Sequence, residues 1–384
     1  MTETPNITPS REDANHIQLA ARLAATTPVL VMDTAALRER AATYIAYAPT
    51  LATFYAVKAN DDPEVLRTLA EVGIGFEIAS VPELDAVLAH GVSPQRIITS
   101  NPIKPPAFIE AVHQVGVHRF VVDSATEIEK LARYAPGCEV LLRLAVDNSG
   151  SAWPLDEKFA ATAAEIVDLT LLASRAGLRP AGLTFHVGSQ ATDPDAWTNA
   201  LRETVVVWEA AAASGFAFDT LNVGGGFPAT HTAVDPDPRA ALESILTAAV
   251  GFSSVTKLEV EPGRGMVADA GVLVTQVIGK ASRSGRNWLY LDVGVFNGLM
   301  ESVGGIDYRF TSLADSAGPD LQWTVAGPSC DSMDVVAKQV ELPDLAVGDR
   351  VAIQPAGAYT TVYASAFNGL RQPPVICVWS GQDG

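Results

Sequence analysis

Several residues that could take part in covalent, acid–base or anion-binding chemistry stand where short apolar runs of the sequence end. Lys58 ends FYAVK, His186 lies in FHVGSQ, glycines occupy 224–226, and Glu261 and Arg264 belong to EPGRG. A lysine amine can form an imine with an aldehyde, an imidazole can stack on an aromatic ring, and glycine N–H groups can approach an anion. Each residue alone also fits a plain structural role, such as a helix-capping lysine, a core histidine, a Gly-rich turn or a surface ion pair.

Eight apolar or β-branched runs, each followed by a helix-like segment, carry or precede these residues. The runs cover residues 51–57, 74–79, 96–100, 119–123, 139–146, 181–187, 220–225 and 257–262. Ser80 with Glu83, and Ser124 with Glu127, have the S-x-x-E order of a capping box and indicate helix starts. Eight strands alternating with helices predict an α/β fold with a (β/α)8 barrel over residues 36–270.

The two ends of the chain differ from this pattern. Residues 1–26 form a polar N-terminal segment, and residues 27–35 indicate a strand that joins a C-terminal β domain. From residue 271 to residue 384, strand-like segments are joined by Gly, Pro and Asp turns, and helix signals nearly vanish. We expect this part to form a separate β-sandwich or β-barrel domain.

In a (β/α)8 barrel the reacting groups lie at the carboxyl ends of the strands, and phosphate is often bound by the loops after the seventh and eighth strands. We therefore expect Lys58 to be a buried amine with a lowered pKa, and the glycines of 224–226 with Arg264 to form a phosphate site. Glu261 is placed to keep a heterocyclic ring nitrogen protonated, and His186 to stack on the ring. An amine, two ring partners and a phosphate site around one barrel mouth match the needs of pyridoxal phosphate.

Composition narrows the classes of partner. The formal net charge of −18 disfavours nucleic acid or an anionic membrane as a partner, and it could attract cationic substrates. The N-terminus lacks the basic start and apolar stretch of a secretory signal, and no apolar run would cross a bilayer, so a cytoplasmic location is expected. The three cysteines have no metal-type spacing and predict neither a disulfide framework nor a metal site.

The ordered motifs FYAVKAN, FHVGSQ, NVGGGFP, EPGRG, GPSCDSMD, GAYT and FNGL are similar to those of the fold-type III pyridoxal-phosphate decarboxylases. That family includes decarboxylases of ornithine, lysine, arginine and diaminopimelate, and it shares the fold of alanine racemase. The resemblance runs from about residue 28 to the C-terminus. It implies a pyridoxal-phosphate-dependent amino-acid decarboxylase made of a barrel and a C-terminal β domain.

The resemblance also implies which residues bind the cofactor. Lys58 would carry it as a Schiff base, Glu77 would lie near it where ornithine decarboxylases usually have aspartate, and Arg143 would help hold the imine. His186 would stack on the ring, and Glu261 would face the pyridine nitrogen. The phosphate would be bound by Ser189, Gly225, Gly226, Arg264 and Tyr359.

Catalysis and assembly are implied in the same way. In the family, the motif that holds Cys330 and Asp331 here reaches across a head-to-tail homodimer into the partner's active site. Cys330 would protonate the carbanion after carbon dioxide leaves, and Asp331 would bind the distal amine of a basic substrate. His186 is the further catalytic candidate beside Lys58 and Cys330. Between the subunits, the resemblance suggests a pair of Lys158 with Asp334.

The resemblance favours a diamino acid such as ornithine or lysine as substrate. Diaminopimelate decarboxylases usually have CES where this chain has CDS, and an arginine in a preceding segment where this chain offers Glu301 and Asp307. Phe367 is a further substrate-binding candidate. Gly304 and Gly305 stand where ornithine decarboxylases usually have a tyrosine and a second aspartate, so a longer, lysine-like substrate stays open.

Other interpretations remain at this point. A diaminopimelate decarboxylase, a pathway-specific decarboxylase or a racemase would use the same fold, although a racemase has a tyrosine where Cys330 is expected to act. A catalytically inactive binding regulator is possible because some relatives of ornithine decarboxylase have lost catalysis. A metal-dependent barrel hydrolase would need clustered ligands, and the six histidines include no H-x-H pair.

Overall fold

The computed structural model describes residues 11–155, 157–193, 195–231, 237–252, 254–314 and 318–379. The chain divides into two compact units. The barrel unit comprises Glu39–Pro228 and Asp237–Gly265, and the β unit comprises Met1–Arg38, Ala229–Pro236 and Met266–Gly384.

The regular elements follow one another along the chain as the sequence patterns indicate. The helices are α1 (Arg11–Leu23), α2 (Thr34–Ile45), α3 (Pro63–Glu71), α4 (Val81–Leu88), α5 (Pro106–Gln114), α6 (Ala125–Tyr134), α7 (Ala163–Arg175), α8 (Ala196–Ala213), α9 (Pro238–Ala249) and α10 (Arg264–Val267). The strands are β1 (Val29–Asp33), β2 (Leu51–Ala56), β3 (Gly75–Glu77), β4 (Ile97–Ile98), β5 (Arg119–Val122), β6 (Glu139–Arg143), β7 (Ser151–Trp153), β8 (Arg179–Thr184), β9 (Ser189–Ala191), β10 (Thr220–Asn222), β11 (Lys257–Val260), β12 (Gly271–Arg283), β13 (Arg286–Leu291), β14 (Arg309–Ser312), β15 (Asp320–Ala326), β16 (Val335–Pro343), β17 (Arg350–Gln354) and β18 (Val375–Val378). Among the helices so described, none is long and apolar enough to cross a membrane.

The barrel unit is built on an eight-stranded sheet in the order β4-β3-β2-β11-β10-β8-β6-β5. Every neighbouring pair in this order is parallel. A parallel bridge between Thr99 and Phe120 joins the two ends of the order, so the sheet closes on itself. The predicted (β/α)8 barrel is therefore confirmed, and each of its strands overlaps one of the eight apolar runs, with β8 beginning two residues before its run.

Close packing inside the barrel explains why small residues interrupt its strands. Val121, Leu141 and Ala181 form a buried cluster on neighbouring strands. At Gly182, an added Cβ would lie 1.7 Å from the carbonyl oxygen of Thr220, so no larger residue fits there without moving the strand. Parallel strands buried on both faces read as continuous apolar runs, which is the pattern in the sequence.

The helix caps only partly follow the capping-box prediction. Ser80 accepts a hydrogen bond from the backbone N–H of Glu83 at 3.3 Å, as expected for α4. Ser124 is the N-cap of α6, so the predicted helix start is confirmed, but its side chain makes no cap hydrogen bond and the capping box does not form. Glu127, its expected partner, instead forms ion pairs with Lys104 and Lys130.

The β unit has its own mixed sheet with the order β14-β17-β12-β13-β15-β16. Strand β1 extends this sheet, because it pairs antiparallel with β12 and parallel with β18. Helix α1 packs on the same region through Ile17 and Ala20, which share a buried cluster with Val31, Val274 and Ala352.

Candidate active site

Lys58 stands directly after β2, at the carboxyl end of the barrel strands. It lies in a short 3₁₀ turn between the buried residues Val57 and Ala59. Its Nζ atom is 3.8 Å from Oε2 of Glu77, the last residue of β3. The expectation of a buried amine is wrong, because 52% of the Lys58 side chain is exposed in the chain. The turn directs the amine out of the packed interior while the residues on either side remain buried.

Two buried carboxylates, Glu77 and Glu261, are joined through Ser100. The backbone N–H of Ser100 donates to Oε1 of Glu77 at 3.2 Å. The Ser100 hydroxyl makes a short hydrogen bond to Oε1 of Glu261. Asn222, the last residue of β10, donates to that same oxygen at 2.6 Å. The side chains of Glu77 and Glu261 are thus linked across the barrel edge, from the ends of β3 and β11, which lie on either side of β2.

Ser100 and Asn222 were not among the candidates from the sequence. Their positions could have indicated both, since Ser100 ends the third apolar run and Asn222 shortly precedes the three glycines 224–226. Polar residues at the ends of barrel strands are the ones expected to face the reacting groups. Neutral hydrogen-bond donors of this kind have no sequence signature comparable to that of a group that titrates, stacks or binds anions.

The carboxyl group of Glu261 holds its proton more strongly than a glutamate in water. Burial raises the pKa of Glu261 to about 7, and the charge of Glu77 adds to the rise. The hydrogen bonds from Ser100 and Asn222 and the charge of Lys58 oppose it. Burial likewise raises the pKa of Glu83 to about 7, against a hydrogen bond from the backbone N–H of Ala79.

Arg143 and His186 bring a cation and a neutral ring to the same ends of the strands. Arg143 is the last residue of β6, and the charges of Glu261, Asp123 and Glu77 act on its guanidinium group. Burial, together with the nearby charges of Arg143 and Lys58, lowers the pKa of His186 well below its usual value. His186 Nδ1 accepts a hydrogen bond from the N–H of Gly188 at 3.0 Å. The imidazole is therefore neutral near pH 7, with its proton on Nε2.

The glycine loop leaves no room for side chains. An added Cβ at Gly225 would lie 2.6 Å from the carbonyl oxygen of Glu261 and 3.1 Å from His186 Nε2. Gly226 has φ +102°, and its added Cβ would lie 2.5 Å from the carbonyl oxygen of Gly188. Glycine is required here both by the close approach of neighbouring backbone and by a backbone conformation that other residues rarely adopt.

Arg264 follows β11 and is 4% exposed. Its Nη2 atom donates to the hydroxyl of Ser189 at 3.2 Å. A buried guanidinium and a hydroxyl are donors suited to phosphate oxygens, and the glycine loop adds backbone N–H groups. Within the barrel unit the residues present therefore fit pyridoxal phosphate: an amine at Lys58, a carboxylate at Glu261 and a set of anion-binding donors.

The remaining candidates lie in the β unit. Cys330 and Asp331 are exposed in the chain and follow β15. Asn368 accepts hydrogen bonds through its Oδ1 atom from the N–H of Cys330 at 3.0 Å and from its thiol at 3.2 Å. Tyr359 has φ +58° and stacks on Tyr363 with 5.3 Å between ring centroids. Asn368 is a further residue that the sequence analysis did not select.

The substrate candidates differ in exposure. Glu301 lies in the 3₁₀ turn Met300–Gly304 and is 3% exposed, whereas Asp307 is exposed. Phe367 is partly exposed and packs against Phe296 with 4.8 Å between ring centroids. In this chain, Asp307 and Asp331 are therefore the acidic candidates that offer their side chains at the surface of the β unit.

The two candidates for subunit pairing already have partners within the chain. Asp334 is buried, and its two carboxylate oxygens accept hydrogen bonds from the N–H groups of Val295 and Ser329 at 2.8 and 2.9 Å. The Nζ atom of Lys158 lies 4.9 Å from the centre of the Phe159 ring. Asp334 thus organises loops of the β unit, and its pairing with Lys158 of a second subunit stays a prediction.

Residues 34–268 match the family model described as pyridoxal-dependent decarboxylase, pyridoxal binding domain. The chain belongs to this family. A lysine/ornithine decarboxylase of Selenomonas ruminantium is 34% identical over 351 residues, which are 91% of this chain and 89% of that protein. Antizyme inhibitor 2 of Xenopus laevis is 34% identical over 349 residues, 85% of this chain and 75% of that protein.

A solved structure extends the similarity to the whole fold. The crystal structure of the arginine decarboxylase of Paramecium bursaria Chlorella virus superposes with a TM-score of 0.87 at 28% identity, covering 95% of this chain and 100% of that one. The expected fold type, the pyridoxal phosphate cofactor and the class of pyridoxal-phosphate-dependent decarboxylases are confirmed by these matches.

Proposed function

We propose that this decarboxylase acts on a basic α-amino acid with a distal amine, and that L-lysine is a better substrate than L-ornithine. Lys58 lies 3.8 Å from Glu77, and Ser100 links Glu77 to Glu261, which supports the cofactor chemistry. The exposed carboxylates of Asp307 and Asp331 carry the substrate assignment. The relative of Selenomonas ruminantium is named a lysine/ornithine decarboxylase, which supports the substrate class.

Pyridoxal phosphate, when bound, supplies a protonated ring that accepts the electron pair of the breaking bond between the α-carbon and the carboxylate. In our proposal the amine of Lys58 attaches the cofactor, and Glu261 accepts a hydrogen bond from the ring nitrogen. Arg264, Ser189 and the glycine loop hold the phosphate. Tyr359 of the β unit is assigned to the phosphate by the family resemblance alone.

The polar residues then control where protons lie. A neutral His186 can cover the ring without adding a charge that would compete with the ring proton. Arg143 places a positive charge near Glu77 and Glu261, which offsets part of the repulsion between the two carboxylates. The thiol of Cys330 gives its proton to the α-carbon after carbon dioxide has left, and the resulting thiolate regains a proton from solvent.

The preference for a longer substrate rests on two glycines that stand where ornithine decarboxylases usually have larger side chains, in the same segment as Glu301 and Asp307. Gly304 and Gly305 carry no side chains where ornithine decarboxylases usually have a tyrosine and an aspartate, so this segment occupies less of a pocket. Asp331 and Asp307, both exposed, supply carboxylates for a distal ammonium group. A substrate with one more methylene group than ornithine would use the space that the glycines leave.

We also propose a head-to-tail homodimer whose two active sites each take Cys330 and Asp331 from the partner subunit. In support of this, the surface of the β unit near Cys330 exposes large apolar side chains in the single chain, including Met333 at 58% and Phe367 at 39%. Such side chains are common where two protein surfaces meet.

The test is release of carbon dioxide and amine from the cofactor-loaded protein with L-lysine, L-ornithine, L-arginine, meso-diaminopimelate and D-lysine. We expect L-lysine to have the highest kcat/KM and L-ornithine to follow, with Lys58→Ala as the inactive control. Fastest turnover of L-arginine or meso-diaminopimelate would contradict the substrate assignment. Absence of carbon dioxide from all five, although the cofactor binds, would contradict decarboxylation and favour a binding regulator.

A further inference from the structure

Ser100 contacts both carboxylates of the barrel site, although its own side chain carries no charge. Its N–H donates to Glu77 at 3.2 Å, and its hydroxyl donates to Glu261. The residue lies after β4, next to the bridge between Thr99 and Phe120 that closes the barrel. Its backbone is therefore fixed by the sheet on one side.

The other side of Ser100 is fixed by a buried lysine. Lys104 is fully buried, and its Nζ atom donates to the carbonyl oxygens of Asn101, Pro102 and Val121 at 2.6–2.9 Å. The bond to Val121 ties the segment that follows Ser100 to strand β5, and the bonds to Asn101 and Pro102 hold that segment against Lys104. A hydroxyl on a backbone held at both ends can aim at one atom with little loss of conformational entropy.

The hydrogen bonds to Glu261 all fall on one of its two oxygens. Ser100 and Asn222 both donate to Oε1, and among the residues that the structure describes, none donates to Oε2. Glu261 as a residue is 8% exposed, and its Oε2 atom is left for a donor that the described residues do not supply. A ring N–H of the cofactor is a donor of the required kind.

We infer that Ser100 is a positioning residue that, together with Asn222, fixes Oε1 of Glu261 and thereby presents Oε2 to the ring nitrogen of the cofactor. The inference rests on the role proposed above for Glu261. It adds a residue that acts through Glu261 and touches neither the substrate nor the cofactor.

Loss of the Ser100 hydroxyl has a defined electrostatic consequence. Burial and the charge of Glu77 raise the pKa of Glu261, while the hydrogen bond from Ser100 lowers it, as do Lys58 and Asn222. Removal of the hydroxyl therefore leaves Glu261 protonated to a higher pH. A protonated Glu261 is a poorer acceptor for a ring N–H, so the ring loses part of its proton and with it part of its capacity to accept electrons.

The matched variants are Ser100→Thr, which keeps a hydroxyl, and Ser100→Val, which has nearly the same shape without one. Ser100→Ala also removes the hydroxyl and leaves a smaller side chain than valine. Ser244→Ala is the control, because it removes a partly buried hydroxyl of α9 that contacts Thr198 at 2.6 Å and takes no part in the site. Thermal unfolding of each variant shows whether it is folded. If Ser100→Ala is unstable, the comparison of Ser100→Thr with Ser100→Val still tests the hydroxyl.

The first readout uses the protein without cofactor. The carboxyl resonances of ¹³C-glutamate are followed against pH, and the signal lost in Glu261→Gln identifies Glu261. We expect the titration midpoint of the Glu261 carboxyl group to rise by about one pH unit in Ser100→Val and Ser100→Ala. Ser100→Thr and Ser244→Ala should keep the midpoint of the unchanged protein.

The second readout uses the loaded enzyme. We expect kcat to fall about tenfold in Ser100→Val and Ser100→Ala, with KM changed less than about twofold. In both variants the pH-dependent change in absorbance of the bound cofactor should occur at higher pH than in the unchanged protein. Unchanged midpoints and kcat in both variants would overturn the inference for Ser100. If Glu261→Gln itself leaves kcat and the cofactor absorbance unchanged, the proposed role of Glu261 is wrong, and the inference falls with it.

Discussion

Asn368 accepts two hydrogen bonds from Cys330 through a single amide oxygen, one from the backbone N–H at 3.0 Å and one from the thiol at 3.2 Å. Asn368 lies in the 3₁₀ turn Phe367–Gly369 and has φ +56°, a left-handed conformation that asparagine tolerates better than most residues. The thiol direction is thus set by a residue 38 positions further along the chain. If Cys330 is the proton donor, Asn368 determines the direction in which it donates.

This relationship predicts the behaviour of Asn368→Gly. Glycine adopts the left-handed conformation without strain, so the variant removes the amide and leaves the turn intact. We expect kcat to fall about tenfold, and turnover in heavy water to give a mixture of the two monodeuterated amines, because the thiol no longer approaches from one fixed direction. Asn368→Asp retains an acceptor in the same place and should keep a single product configuration. A single configuration and an unchanged kcat in Asn368→Gly would show that Asn368 does not orient the donor.

Asp331→Ala tests the proposed contact with the distal amine. Asp331 also accepts a hydrogen bond from the N–H of Met333 at 2.8 Å, so Asp331→Asn serves as the control that keeps a local acceptor. We expect kcat/KM for L-lysine to fall roughly 10²-fold in both variants, because each removes the charge that pairs with the ammonium group. The rate with L-norleucine, which lacks that amine, should change little. Equal losses for L-lysine and L-norleucine would contradict the contact.

Much of the barrel could be predicted because its physical basis is visible along the sequence. Parallel strands that are buried on both faces are largely apolar, and each of the eight runs overlaps a barrel strand. The carboxyl ends of such strands meet at one edge, so Lys58, His186 and Glu261 could be placed together by order alone.

Other features depend on contacts between residues that are distant in sequence. The side-chain hydrogen bond of a capping box does not form at Ser124, the N-cap residue of α6. Glu127 forms ion pairs with Lys104 and Lys130 instead. Ser100 is 161 positions from Glu261, and no local pattern shows that a serine hydroxyl will meet that carboxylate. The exposure of Lys58 depends on a turn of three residues that an apolar run does not reveal.

The proposed sharing of active sites predicts that two inactive variants can restore each other's activity. Lys58→Ala lacks the attachment amine, and Cys330→Ala lacks the proton donor. When equal amounts are mixed and allowed to exchange subunits, half of the dimers contain one chain of each kind, and one of their two sites has both residues. We expect about a quarter of the activity of the unchanged protein. Lys58→Ala mixed with itself is the control, and a mixture that stays inactive despite verified exchange of subunits would contradict shared sites.

Glu83 predicts a pH dependence of stability that can be assigned to one side chain. Burial raises the pKa of Glu83 from 4.5 to about 7, so the folded protein retains a proton there that the unfolded chain releases. The favourable contribution of Glu83 to the free energy of unfolding is fully present below pH 4.5, where the side chain is protonated in both states. This contribution is lost as pH rises through about 7. Glu83→Gln cannot ionise and should therefore become more stable relative to the unchanged protein as pH rises.

The change between pH 5 and pH 8 should be roughly 2–3 kcal/mol in the difference between the two proteins. It is measured by urea unfolding of both proteins without cofactor, at one protein concentration. Glu110→Gln, at an exposed position of α5, is the control for the loss of a carboxylate at the surface. A constant difference for Glu83→Gln over this range would mean that Glu83 ionises in the folded protein as it does in water.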